Sequence, residues 1–291
     1  MNNPIENKIN WPDDKSFGLV LTHDVDRVKK TYQYITHFIK TRRGYHIKSL
    51  FRSGNPYWTF DAIMELEEKL GVKSTFFFLN ESGTASLLKP NTYSLYWGRY
   101  KIDQMDVRNM IIKLDKQGWE IGVHGSYNSY MDGKMLAEEK QALEKILSHE
   151  IAGIRQHHLR LAIPKTWELQ HKVGFAYDSS LGHNDRIGIK DDACTIIKPF
   201  KDDFYVVPLT IMDSALFTQY LDLDEAWNKV NNLIMEIKNS CGLLSILWHT
   251  ERFNAEEFPG HADFYKRIIE LCKRENAWIG TCGEAVKLAR C

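Results

Sequence analysis

Eight short apolar runs rich in β-branched and aromatic residues recur along the 291-residue chain: "FGLVLTHD", "STFFFLN", "EIGVHGS", "IAGIRQHH", "FAYDSS", "YVVPLT", "GLLSILWHT" and "AWIGTCGE". Most are separated by segments with helical spacing, among them "DAIMELEEKLG", "DVRNMIIKLDKQG" and "KMLAEEKQALEKILSHE". Strands alternating with helices need crossover connections, and those build a parallel sheet. Gly71, Gly118 and Gly174 fall where a helix should stop and the next strand begin, as a left-handed C-cap requires. Seven or eight such units predict an α/β chain closed into a (β/α) barrel. With no Pro/Ser/Gly-rich linker and no repeat, one domain is expected over residues 1–291.

The strand ends are unusually polar. His23, Asp24 and Asp26 close the first run, His124 the third, Arg155, His157 and His158 the fourth, Asp178 the fifth and His249 the seventh. In a parallel barrel the C-terminal strand ends share one mouth, where barrel enzymes hold their chemistry. One such residue alone is as easily a helix cap, but five strands ending this way point to a site. Carboxylates and imidazoles together suit metal-assisted hydrolysis: some hold a divalent cation, a free carboxylate takes a proton from water, and another imidazole protonates the leaving group. In "THDVD", Asp24 and Asp26 are two residues apart and share a strand face. One can ligate while the other acts as base.

These stretches resemble the motifs of the polysaccharide deacetylase family, also called the NodB-homology or carbohydrate esterase family 4 group. "THDVD" is similar to the first motif, "EIGVHGSYNSY" to the second, "GIRQHHLR" stands at the third, "GFAYDSS" at the fourth and "LLSILWHT" at the fifth. The resemblance implies a distorted (β/α) barrel of about seven parallel strands. It implies Asp24 as general base, Asp26 and His124 as ligands of a divalent metal, zinc by preference, and Arg155 as the residue that orients the base. It also implies His249 as the acid, Asp178 as the group tuning that acid, and the His158 backbone N–H as an oxyanion donor.

Two motifs depart from the pattern. The second ordinarily carries two histidines four apart, whereas Asn128 stands four beyond His124, and an amide is a poor zinc ligand. The third carries His157 where the family has proline, so His157 is the expected third ligand, with Asn128 the alternative position. His23 is expected to tune Asp24 by hydrogen bonding, with ligation as its other role. His37, His46, His149, His171, His183 and His261 lack an acidic neighbour in sequence and are expected in surface or core roles. Two long loops are expected, Thr41 to Trp58, which is basic, and Ser82 to Tyr100, which carries "TYSLYWGRY".

The sequence reading is thus a metal-dependent amidohydrolase that removes an N-acetyl or N-formyl group from an amino sugar in surface-polysaccharide biosynthesis. A metal-independent hydrolase of a small amide and an inactive sugar-binding barrel are the alternatives. Lys plus Arg balance Asp plus Glu at 38 each, so no overall field recruits nucleic acid. The N-terminus has no signal-peptide core and no stretch is long and apolar enough to span a bilayer, so a cytoplasmic location is expected. Five cysteines without CxxC spacing are expected as free thiols.

Overall fold

The computed structural model of the chain describes residues 5–6, 9–81, 83 and 95–290. Each of the eight apolar runs holds a strand. In chain order the strands are β1 (Ile5–Glu6), β2 (Phe17–Val25), β3 (Thr75–Leu79), β4 (Glu120–Gly125), β5 (Gly153–Gln156), β6 (Tyr177–Asp178), β7 (Ile197–Lys198), β8 (Tyr205–Val206), β9 (Ile211–Met212), β10 (Leu243–Leu247) and β11 (Ala277–Gly280). The helices are α1 (Gln33–Thr41), α2 (Tyr45–Leu50), α3 (Phe60–Lys69), α4 (Met105–Lys116), α5 (Gly133–Leu147), α6 (Lys165–Val173), α7 (Asp213–Gln219), α8 (Leu223–Asn239), α9 (His261–Arg274) and α10 (Cys282–Arg290).

The sheet runs in the order β1-β7-β8-β6-β5-β4-β3-β2-β10-β9. From β8 to β9 every neighbour is parallel, while β7 and β1 extend the β8 edge antiparallel. This is a distorted (β/α) barrel. No strand ladder joins β9 to β8 among the described residues, so the barrel stays open there, and the chain between them is held by single bonds such as Leu209 N–H to the Leu181 carbonyl (2.7 Å).

β2 organises the sheet because it pairs with three strands. β10 takes one edge along Gly18–Thr22; on the other, β11 pairs with Phe17–Val20 and β3 with Thr22–Val25. The pleat sorts its residues. Leu19 and Leu21 face outward into the layer between sheet and helices, with Ile63, Ile111, Leu114, Leu136, Ile234 and Ile268. Val20 faces inward with Phe77, Tyr177, Tyr205 and Leu243, and this inner core is closed by Trp11 and by Cys282, Ala285 and Val286 of α10. α10 is anchored there by Gly283 N–H on Glu120 Oε2 (2.9 Å) and Cys282 N–H on Thr75 Oγ1 (3.0 Å).

Gly71, Gly118 and Gly174 have φ of 57°, 89° and 93°, as their place at helix ends requires. The expected basic loop, residues 41–58, is irregular over most of its length and holds one short helix, α2, which follows closely on α1. Of the second loop, residues 82 and 84–94 lie outside the described residues, as does Cys291. Tyr100 is buried; its hydroxyl donates to the Val25 carbonyl (2.6 Å) and accepts from Leu79 N–H (2.8 Å), so it joins the upper ends of β2 and β3. Among the described residues no helix is long and apolar enough to cross a membrane.

The inner core alternates small and large residues. A Cβ on Gly122 would lie 2.6 Å from the Phe77 ring, and one on Gly153 would overlap the Tyr177 ring. Gly153→Ala should therefore lower stability by about 1–3 kcal/mol, the usual range for overpacking, read as a lower urea midpoint; an unchanged midpoint would mean that the inner layer has room to yield.

Candidate active site

Asp24, Asp26, His124, His157, His158 and His249 all line one cavity of about 610 Å³ at the C-terminal strand ends. Asp24 leaves the inner face of β2 and is fixed by the Arg155 guanidinium, whose Nη1 donates to Asp24 Oδ1 at 3.0 Å. Arg155 is fully buried and also donates to Thr22 Oγ1 (2.7 Å), the Ser179 carbonyl (2.8 Å) and Ser179 Oγ (2.8 Å). Asp24 Oδ2 lies 3.7 Å from His124 Nε2.

Asp26, His124 and His157 place ligand atoms within 4.8 Å of one another. His124 Nε2 is 3.2 Å and His157 Nε2 3.5 Å from Asp26 Oδ1. The opposite nitrogen of His124, Nδ1, donates to the Arg155 carbonyl (3.0 Å), a bond that turns Nε2 toward the carboxylates. Burial pushes His124 down, but Asp24 and Asp26 outweigh it and hold the imidazole above its ordinary value. His157 is the opposite case: burial dominates and pushes it down to about 4, so its ring is neutral at pH 7. Burial would raise Asp26, yet His157, His124 and Arg99 together hold it well below the usual carboxylate range. Asp26 Oδ1 and His157 Nδ1 are buried without a hydrogen-bond partner. Two imidazoles and a carboxylate converging on one point, with an orphaned oxygen between them, fit a divalent cation.

Asn128 is exposed, and its nearest partners are the Tyr96 hydroxyl (3.3 Å) and Arg160 Nη1 (3.4 Å). The geometry brings His157, not Asn128, to Asp26 and His124.

Two expectations need correction. His23 points away from the cavity, because the strand pleat that sends Asp24 inward sends its neighbour outward. Its Nε2 meets Glu67 Oε1 (2.9 Å) and its Nδ1 the Trp248 carbonyl (2.7 Å), with Tyr265, Ser74 and Trp119 completing the bonds of Glu67. Asp178 likewise faces outward, onto α6, where it accepts from Gln170 Nε2 (2.9 Å), Ser180 Oγ (2.6 Å), Ser180 N–H (2.8 Å) and Trp167 Nε1 (3.3 Å). The group beside His249 is Asp213, at the end of β9. Asp213 Oδ1 meets His249 Nδ1 at 2.6 Å, and Oδ2 accepts from His249 N–H at 2.7 Å. Its signal was the "TIMD" stretch, a further short run ending in a carboxylate.

His37 and His46, without an acidic neighbour in sequence, both come within reach of Glu257 in the fold. With it they form a second group of potential ligands. A cation already occupies that place: Lys30 Nζ donates to Glu257 Oε2 (2.6 Å) and meets His46 Nδ1 (2.9 Å), beneath the rings of Tyr34, Tyr45 and Tyr57 at 5.0–5.6 Å. Among the remaining cavity residues, Leu159, Met212 and Leu247 form an apolar patch. His158 and Leu159 have φ of 58° and 50°, a left-handed turn that non-glycine residues adopt only when held there.

No family model matches the chain, and a search of curated proteins finds no match either. Solved structures do match. A structure assigned to a polysaccharide deacetylase of Mycobacterium smegmatis superimposes with a TM-score of 0.65 over 99% of this chain and 94% of that one, at 18% identity. One from Pseudomonas aeruginosa PAO1 gives 0.62, 99%, 94% and 16%. The chain has the polysaccharide deacetylase fold. A third polysaccharide deacetylase fold, the Bc1960 peptidoglycan N-acetylglucosamine deacetylase, gives a TM-score of 0.52 over 94% of this chain and 89% of that chain at 13% identity.

Within this polysaccharide deacetylase fold, His249 carries the largest upward shift of any cavity imidazole. Burial would lower it, but Asp213 raises it to about 10 and is itself held below its ordinary value. The stabilisation of the pair is therefore fully present between the unfolded aspartate value of about 3.9 and the unfolded histidine value of about 6.5; it is lost as pH rises through about 10 and as pH falls through the lowered value of Asp213. NMR titration of the metal-free protein should find His249 still protonated at pH 8. In Asp213→Asn, where only Glu251 and Asp26 remain to oppose burial, the ring should titrate well below its value in the native protein; the same titration in both proteins would remove Asp213 as the cause.

Proposed function

We propose that the protein is a metal-dependent amidohydrolase that removes an N-acyl group, acetyl or formyl, from an amino sugar in surface-polysaccharide biosynthesis in the cytoplasm. One observation carries this reading: a carboxylate held by Arg155 and an imidazole held by Asp213 line the same cavity as the Asp26–His124–His157 cluster. The fold neighbours assigned as deacetylases support the chemistry.

In this reading Asp26, His124 and His157 hold a divalent cation, zinc by the preference of two imidazoles and a carboxylate for that ion. The cation would supply Lewis-acid activation of water and of the acyl carbonyl. Asp24 is the proton acceptor for the attacking water; Arg155 fixes its orientation and leaves Oδ2 toward the cluster. The His158 N–H, on its left-handed turn, contributes to binding the oxyanion. His249, with Nδ1 tied to Asp213, gives its Nε2 proton to the departing amine. The small patch of Leu159, Met212 and Leu247 suits the methyl of an acetyl group.

Arg99 favours a second reading, a metal-independent hydrolase. Its guanidinium lies 3.7 Å from Asp26 Oδ1 and 3.3 Å from His157 Nε2, a fixed cation beside the cluster. Acetate release from N-acetylglucosamine oligomers separates the two. Exhaustive chelation should abolish turnover and zinc should restore it, while Asp24→Asn should lower kcat by about 10²–10⁴-fold with bound zinc retained. Full activity after chelation would favour the Arg99 reading, and an active Asp24→Asn would remove Asp24 as the base.

A further inference from the structure

The α1–α2 segment, residues 33–52, carries Lys40, Arg42, Arg43, Lys48 and Arg52 and no aspartate or glutamate, in a chain whose 38 basic and 38 acidic residues cancel. Arg43 is tied back to the carbonyls of Glu257 (2.7 Å) and Glu256 (2.6 Å), and Arg52 pairs with the Glu256 carboxylate (2.5 Å). The side chains of Lys40, Arg42 and Lys48 are exposed and have no acceptor among the described residues.

The same segment exposes Ile35, Ile39, Leu50 and Phe51, at 59%, 57%, 50% and 82%. Ile35 and Ile39 lie one turn apart on one face of α1. Among the described residues the other exposed large apolar side chains, Trp97, Met105, Met131, Ile163, Leu221 and Leu223, are scattered along the chain, so the concentration of four within 33–52 marks an interaction surface. The platform beneath it is firm. Lys30 and His37 both bind the buried Glu257 carboxylate (2.6 and 2.7 Å), and His46 of α2 meets Lys30 (2.9 Å).

We infer that the α1–α2 hairpin docks on an anionic membrane surface, its isoleucines and Phe51 entering the headgroup boundary and its basic side chains facing lipid phosphate. Exposed apolar groups among basic residues with no acid between them are what an interfacial element requires. A nucleic acid would match the charge and leave the apolar groups in water. A second copy of this chain, packed about a two-fold axis, would set the basic segment against itself.

The hairpin also walls a cavity of about 390 Å³ through His37, Lys40, Arg43 and His46, and this cavity shares Glu251 and Arg252 with the 610 Å³ cavity. Docking would thus bring the candidate active site close to the membrane, where a lipid-linked amino sugar would be met. That last step rests on the proposed function; docking does not.

The test is co-sedimentation of the full chain with vesicles of phosphatidylcholine alone and of phosphatidylcholine with phosphatidylglycerol. Binding is expected only to the second, weakening as salt is raised. The triple variant Lys40→Glu/Arg42→Glu/Lys48→Glu should lose about 100-fold or more in affinity, and Ile39→Ser/Phe51→Ser about 10-fold, each with an unchanged urea midpoint. Absence of binding, binding indifferent to both variants, or loss with the charge variant alone would overturn the inference. So would a concentration-dependent dimer without vesicle binding, which would give the face to a second copy. A protein that docks but releases no acetate would leave the inference standing and count against the proposed function.

Discussion

The buried guanidinium of Arg155 is the interaction on which the upper half of the barrel depends. It sits with no solvent exposure on the inner face of β5, over the Phe77 ring at 4.6 Å, and its donors reach β2 and the strand end after β6. A charge so placed is stable only while its acceptors stay in position; breaking one partner of such a pair typically costs about 3–5 kcal/mol. That constraint has two consequences at the site. The side chain holds Asp24, and the backbone carbonyl of the same residue holds His124 Nδ1. Asp24 of β2 and His124 of β4 are therefore both oriented by one residue of β5, with His124 in register opposite Arg155.

Around this centre the electrostatics divide into two halves. On one side, Asp24 and Asp26 demand positive charge and raise His124, while burial keeps His157 neutral and available as a donor. On the other, Asp213 keeps His249 charged. Burial thus wins at His157 and a carboxylate wins at His249, so one cavity holds a neutral and a charged imidazole.

Much of this was legible from alternation alone. The apolar runs marked the strands, their polar ends marked the mouth, and Asp24, Asp26, His124, Arg155, His157 and His249 come together as their strand-end positions implied. The departures have physical causes. His23 and Asp178 are buried and hydrogen-bonded, as strand-end polar residues should be, but on the outer face, which the two-residue period assigns once the register is known. Asp213 ends a strand of only two residues, too short to show a pattern of its own. The partnership of Lys30, His37 and His46 with Glu257 joins residues about two hundred positions apart, beyond any local signal. Within the basic loop Thr41 to Trp58, the short helix α2 gave no signal because Leu50 and the following Phe51 face outward and leave no core stripe.

The central claim is that His157, supplied by the strand after His124, completes a three-ligand metal site in place of Asn128. X-ray absorption on the zinc-loaded protein tests it most directly. The account predicts two imidazole nitrogens at about 2.0–2.1 Å and a carboxylate oxygen around the zinc, one imidazole fewer in His157→Ala, and no change in Asn128→Ala. A single imidazole in the native protein, or a spectrum unchanged by His157→Ala, would contradict it.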